Sequence, residues 1–312
     1  MDFIALIVRQ IIRKQVIALA KVKLFSDSSS DLSDEIYQRY DISVVPFYAS
    51  FDKQTYYKER IDISIDEFFR KLRTENVFPI TSLPSGADYE EAFRPILKKG
   101  MDIVCLCLTS KFSGSYQNAA NAADELKGEF PGRVIRVIDS IQATCGQGVM
   151  LIQAAHMLRD GLSANEAADR IEDLKYSARV FFTLDSLEYL QKGGRVGKAS
   201  ALAGSLLNIK PVIVMKDGEL NPVNKVRGRQ KALDKVIALT EEYVGDGKDE
   251  YDYILINADC REEAVPVLEK VRKKGFKVDW PIMDLGITIG CHAGPTVIGI
   301  CLVKKYKRTA PA

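Results

Sequence analysis

The first chemical signal in this chain is a set of hydroxyl-rich loops. Asp27-Ser28-Ser29-Ser30-Asp31, Thr81-Ser82-Leu83-Pro84-Ser85, Ser110-Lys111-Phe112-Ser113-Gly114-Ser115 and Asp139-Ser140 offer Asp27, Ser28, Thr81, Ser82, Ser113, Ser115, Asp139 and Ser140 as polar groups. Hydroxyls and backbone amides at helix starts donate hydrogen bonds to an anionic oxygen. Any one serine or threonine at such a place is otherwise explained as a helix cap. Several together are harder to explain that way. Two later residues add to them. Arg195 lies in Lys192-Gly193-Gly194-Arg195, where glycines let the backbone turn tightly and an arginine can meet a carboxylate or phosphate. The alternative there is a helix end with a solvated arginine. His292, one of two histidines, lies in Gly290-Cys291-His292-Ala293-Gly294-Pro295, which reads as a tight turn able to aim a donor. His156 sits in a helical stretch and reads as ordinary.

Other chemistries find less support. Ser113 or Ser115 with His292 would make a nucleophile and base, so an acyl-ester hydrolase is the competing reading. The sequence has no G-x-S-x-G elbow, Walker A, G-x-G-x-x-G or H-E-x-x-H motif. Two histidines and scattered cysteines show no metal-ligand spacing, so no metal is expected.

The elements that must position these residues follow a rhythm. Apolar runs at Val22–Phe25, Ile103–Leu108 and Val134–Ile138 each lead into a polar loop and then a helical pattern. That recurrence predicts an α/β fold with a parallel sheet and helices on its faces. In such sheets ligands bind at the carboxyl ends of the strands. Ser64 to Glu67 and Ser163 to Glu166 are capping boxes. Strands are expected near Val180–Leu184, Pro211–Met215, Ile254–Ala258 and Val297–Val303, with helices over Arg227–Val244 and Arg261–Lys274. The reading gives an extension over residues 1–21 outside the fold, an α/β domain over 22–164 and a second α/β domain over 165–306.

The 312 residues carry 44 basic and 42 acidic side chains, a net charge of +2. That balance gives no broad field for nucleic acid. Six cysteines without a CxxC pair fit buried thiols in a reducing cytoplasm. Arg9, Arg13 and Lys14 interrupt the apolar N-terminus, which argues against a membrane span. Ile4, Ile7, Val8, Ile11 and Ile12 do keep helical spacing, which leaves transient membrane-surface contact open.

The same loops, in order and spacing from about Val22 to Lys304, resemble the DegV family. The matching motifs are Asp27 to Leu32, Thr81 to Ser85, Ser113 to Gln117, Leu190 to Arg195, Leu206 to Pro211 and Gly290 to Pro295. The resemblance implies a Rossmann-like N-terminal domain and a smaller C-terminal α/β domain, with one long-chain fatty acid such as palmitate between them. It implies a non-catalytic, cytoplasmic lipid-binding protein serving lipid transport or fatty-acid metabolism, with no cofactor. Some members present the carboxylate to a separate dihydroxyacetone-kinase-like subunit, which makes an acyl phosphate. Carried onto this chain, the carboxylate contacts are Thr81, Ser82, Ser113 and His292, with Arg195 near the head group or a partner. Leu83 and Thr296 depart from the family pattern, as does the extension.

Overall fold

The computed structural model describes residues 22–75, 77–202 and 208–308. The expected extension over residues 1–21 lies outside the described residues. In chain order the elements begin with β1 (Val22–Asp27), α1 (Asp34–Arg39), β2 (Ile42–Val45), β3 (Tyr48–Ser50), β4 (Tyr57–Lys58), α2 (Ile65–Glu75), β5 (Ile80–Ser82) and α3 (Gly86–Lys98). They continue with β6 (Asp102–Cys107), α4 (Ser115–Glu129), β7 (Ile135–Asp139), α5 (Cys145–Arg159), α6 (Ala164–Leu174), β8 (Arg179–Thr183) and α7 (Glu188–Lys192). The rest are β9 (Ile209–Lys216), β10 (Glu219–Arg227), α8 (Arg229–Val244), β11 (Tyr251–Asn257), α9 (Arg261–Lys273), β12 (Met283–Asp284), α10 (Ile287–Ala293) and β13 (Ile298–Lys304).

Three sheets result. A parallel sheet has the order β2-β1-β6-β7. Its strand order reverses beside β1, so the crevice between the ends of β1 and β6 is the topological switch point. β6 is buried over all but its first residue, as expected of a central parallel strand covered on both faces. Cys105 and Cys107 share a face there, with their sulfurs 3.7 Å apart, and all six cysteines are free thiols. A second sheet has the order β10-β9-β8-β13-β11-β12, antiparallel except for the last pair. A small antiparallel sheet, β4-β3-β5, is the third. All strands of the parallel sheet precede α6, and all strands of the mixed sheet follow it.

Helix α5 joins the two large sheets. It is apolar on nearly every side and buried almost throughout, the pattern of a core helix. It packs on β1 and β6 and also on β11 and β13. One apolar cluster therefore runs from Leu24, Val104 and Leu106 through Val149 and Ile152 to Val180, Ile254 and Cys301. The capping box at Ser163 forms in both directions with Glu166. Two local expectations change. Thr81 and Ser82 lie in strand β5 instead of a loop, and His292 lies in the last turn of α10 instead of a tight turn.

Candidate functional site

A cleft opens where the three sheets meet, with an interior of about 90 Å³ accessible to water-sized molecules. Its walls are chiefly apolar. Leu108 and Ala143 come from the carboxyl ends of the parallel strands, Phe47 from the strand link before β3, and Val180, Met215 and Ile256 from the mixed sheet. Val180 and Met215 are paired across β8 and β9, as are Met215 and Leu220 across β9 and β10. Directly paired residues share a face of the sheet, so these three form one apolar row along the cleft.

Polar atoms are few. Thr81 Oγ1 lies 2.9 Å from His292 Nε2. Thr81 stands on β5 and His292 on α10, 211 residues apart. Ser113 Oγ accepts from the Ser115 amide at 3.2 Å, which leaves its O–H free of any acceptor among the described residues. All three line the cleft, and so does Arg195. Ser82 does not. Period-two alternation turns it away from the Thr81 side, and it is exposed.

Burial drives the His292 pKa down to about 4, helped by the Arg195 charge. The imidazole is therefore neutral near pH 7. With its proton on Nε2 it donates to Thr81 Oγ1, and the threonine O–H is free to donate onward. The other nitrogen, Nδ1, is buried and has no partner, because Gly193 packs against it. A methyl group at Gly193 would fall 2.2 Å from Nδ1. Arg195 is tied down by Nε donation to the Phe112 carbonyl at 3.2 Å and by a 2.6 Å bond to the Gly193 carbonyl. Neither ring nitrogen of His292 bonds Ser113, so the nucleophile–base pair of a hydrolase is not formed.

The remaining loop hydroxyls serve the scaffold. Asp27 is fully buried and accepts from the Leu108 amide and from Ser115, Ser29 and Gln147. Burial still raises its pKa. Ser140 closes a turn with Gln142. Leu83 lines the cleft while 37% exposed. The Thr296 hydroxyl accepts from the Asp185 amide at 3.0 Å, which gives that departure a local role.

A buried acidic pair behind the cleft escaped the sequence reading. Glu59 and Asp31 are 1% and 3% exposed. Glu59 accepts hydrogen bonds from Ser28, Ile287 and Thr288. Asp31 has neither carboxyl oxygen bonded. Thr144 and the Gly286 amide stand beside it, outside hydrogen-bond geometry. Burial first, and the Glu59 charge second, hold the Asp31 pKa well above the carboxylate range. Thr144 lines the cleft with φ at +50°, a strained value for a β-branched residue and one that gathers at functional sites. No metal-holding cluster of histidine, cysteine and carboxylate groups occurs among the described residues. No described helix is long and apolar enough to cross a membrane.

Fold and cleft together define an α/β protein with an apolar cleft between a parallel and a mixed sheet. Comparison with known proteins gives the family. Residues 21–305 match DegV, described as a family of uncharacterised proteins, and the chain belongs to it. A DegV domain-containing protein of Caldanaerobacter subterraneus is 33% identical, covering 92% of this chain and 100% of the relative. A stearic-acid-binding protein from Eubacterium ventriosum is 37% identical with a TM-score of 0.87, over 91% of this chain and 99% of that one. A fatty-acid-binding DegV protein from Thermus thermophilus is 30% identical with a TM-score of 0.83, over 91% and 99%.

Proposed function

We propose that this chain binds one long-chain fatty acid, with the carboxylate at Thr81, Ser113 and His292 and the acyl chain along the apolar walls of the cleft. The observation that carries this reading is the Thr81–His292 contact at an otherwise apolar cleft. The stearic-acid-binding relative supports the ligand class. A sixteen-carbon chain gains on the order of 10 kcal/mol from burial, at about 0.8 per methylene, before the cost of association. The head group then needs orientation more than affinity. An ionised carboxylate entering a partly dry site needs donors; the Thr81 and Ser113 hydroxyls provide them, and the neutral imidazole holds the Thr81 O–H free to donate. Arg195, fixed beside the imidazole, adds a positive charge without entering the contact. Ser82 is left out of this assignment because it is off the cleft.

The protein itself does no chemistry in this reading. It presents the carboxylate to a separate kinase subunit of the dihydroxyacetone-kinase-like kind, which makes the acyl phosphate, and Arg195 serves that docking. The chain works in the cytoplasm, in lipid transport or fatty-acid metabolism, with transient contact to a membrane surface. Native mass spectrometry of the purified protein tests the binding step. A retained mass of one long-chain fatty acid, exchangeable with added palmitate, is expected. An empty protein that ignores palmitate, or one that hydrolyses acyl esters, would refute it.

A further inference from the structure

We propose that Glu59 is a positioning residue for His292 and so sets the preference of the cleft for an acid over a neutral head group. This rests on the head-group reading above. Glu59 does not line the cleft. Its carboxylate accepts from Ser28 Oγ at 2.5 Å, Ile287 N at 2.5 Å, Thr288 N at 3.2 Å and Thr288 Oγ1 at 2.5 Å. Three of those four donors belong to the first turn of α10. At the other end of the same helix His292 reaches Thr81.

Both anchors sit on one platform. Glu59 directly follows β4, and its amide donates to the Phe47 carbonyl at 2.9 Å. Thr81 is on β5, paired with Ala49 of β3. The small antiparallel sheet thus grips α10 at both ends. A helix of seven residues has too few internal bonds to hold its own shape or direction. Its placement is set by these anchors and by packing. Burial raises the Glu59 pKa, but the hydrogen bonds it accepts from Ser28, Ile287 and Thr288 oppose that shift, and a negative charge is favoured at the amide end of the helix.

The charge belongs on Glu59 and not on its neighbour. Four donors reach Glu59, whereas neither oxygen of Asp31 has a partner. A side chain at Gly286 would fall 2.2 Å from Asp31 Oδ1 and 2.7 Å from Glu59 Oε1. No bulk therefore separates the two carboxyls, and like charges so placed cannot both persist. Removing the Glu59 charge loosens the amide end of α10 and with it the aim of His292.

The test compares palmitic acid with 1-hexadecanol, which share a tail and differ in the head. In the full chain, Glu59→Gln is expected to lower the acid-over-alcohol affinity ratio about three- to tenfold, the worth of one modest hydrogen bond. Alcohol affinity is expected to hold. In a His292→Ala background Glu59→Gln should lower the ratio no further, since the two act as one unit. An unchanged ratio, or equal loss of acid and alcohol binding, overturns the proposal and makes Glu59 a strut only. If His292→Ala itself leaves the wild-type ratio intact, the head-group reading has failed, and Glu59 falls with it. Thermal unfolding checks the fold. Should Glu59→Gln not fold, Ser28→Ala removes one of the four bonds and keeps the carboxylate. It must then show a smaller loss of the same sign, and no loss overturns the proposal.

Discussion

Replacing Gly193 by alanine is the sharpest steric probe of the site. Gly193 has φ −77° and ψ −8°, values that alanine adopts freely. The change therefore brings no backbone strain. It brings a methyl group 2.2 Å from His292 Nδ1, 3.2 Å from Cε1 of the same ring and 3.1 Å from the Tyr189 carbonyl oxygen. Ordinary contact requires the ring to retreat by about 1.2 Å, or the loop carrying Arg195 to move, because packed interiors leave no slack. Either shift breaks the 2.9 Å contact to Thr81. Losing that donor is worth about 1–3 kcal/mol of head-group anchoring, or roughly a five- to 150-fold rise in Kd for palmitate. Overpacking also costs about 1–3 kcal/mol of stability. Gly194→Ala is the control. Its φ is +70°, and nothing lies within 4 Å of its added methyl. It costs about 1–2 kcal/mol of backbone strain but does not touch His292. Titration calorimetry with palmitate and hexadecanol, beside thermal unfolding, separates the two. If Gly193→Ala binds palmitate within about twofold of wild type, the loop does not hold the ring and the argument is wrong.

Four further outcomes are expected. Ser113→Ala and His292→Ala should each fold normally and weaken palmitate about five- to 150-fold while hexadecanol binding persists, as a displacement titration would show. The lowered His292 pKa means that the folded state takes up its proton only near pH 4, whereas the unfolded chain does so near 6.5. Its contribution is thus fully present above 6.5 and declines as pH falls toward 4, by up to about 3 kcal/mol; His292→Gln should flatten that slope in unfolding measured between pH 7 and 4. Asp31 has the opposite sign, since its raised pKa makes stability fall as pH climbs above 3.8. Asp31→Asn should stabilise by about 1–3 kcal/mol at pH 7 and change little near pH 3. Arg195→Ala should reduce acyl-phosphate formation in a coupled kinase assay more than palmitate binding; an equal loss of both would place Arg195 in the head-group contact.

The sequence was most legible where one rule acts alone. Ile103 to Leu108 read as a buried strand because it is a continuous apolar run, and β6 lies there. Ser163 and Glu166 announced α6 because the capping box is local chemistry. What was missed depends on partners far along the chain. β4 and β5 are two and three residues long, too short to show a period, so Thr81 read as a loop residue. β10 contains Asn221, Pro222, Asn224 and Lys225, a polar, proline-interrupted run that shows no strand pattern. It is an edge strand held by β9, with a register shift beside Pro222, where a proline is tolerated. His292 read as part of a turn because glycines bracket it. Gly290 lies inside α10 for a packing reason, since a methyl there would fall 2.8 Å from the Phe68 ring. Glu59 stands in Lys58-Glu59-Arg60, a run that looks solvated. Only the approach of Ser28 and α10 makes it an interior group.

Helix capping explains some of these hydroxyls and not others. It holds for Ser113 in part, because its oxygen accepts from the Ser115 amide at the start of α4; its O–H remains available. It fails for Thr81, which stands on a strand and meets a side chain from another sheet's connection. The three proposed contacts come from three separately bonded sheets: Ser113 follows β6, Thr81 is on β5, and His292 precedes β13. Their charge state matters as much as their convergence. A permanent cation aimed into an apolar cleft would be costly whenever the cleft is empty. A hydroxyl pair and a neutral imidazole cost far less, and they still orient an anion when one arrives. Arg195 also lines the cleft, with its guanidinium tied to two carbonyls. Placing affinity in the tail and orientation in neutral donors lets the site pass between empty and filled without stranding a buried charge.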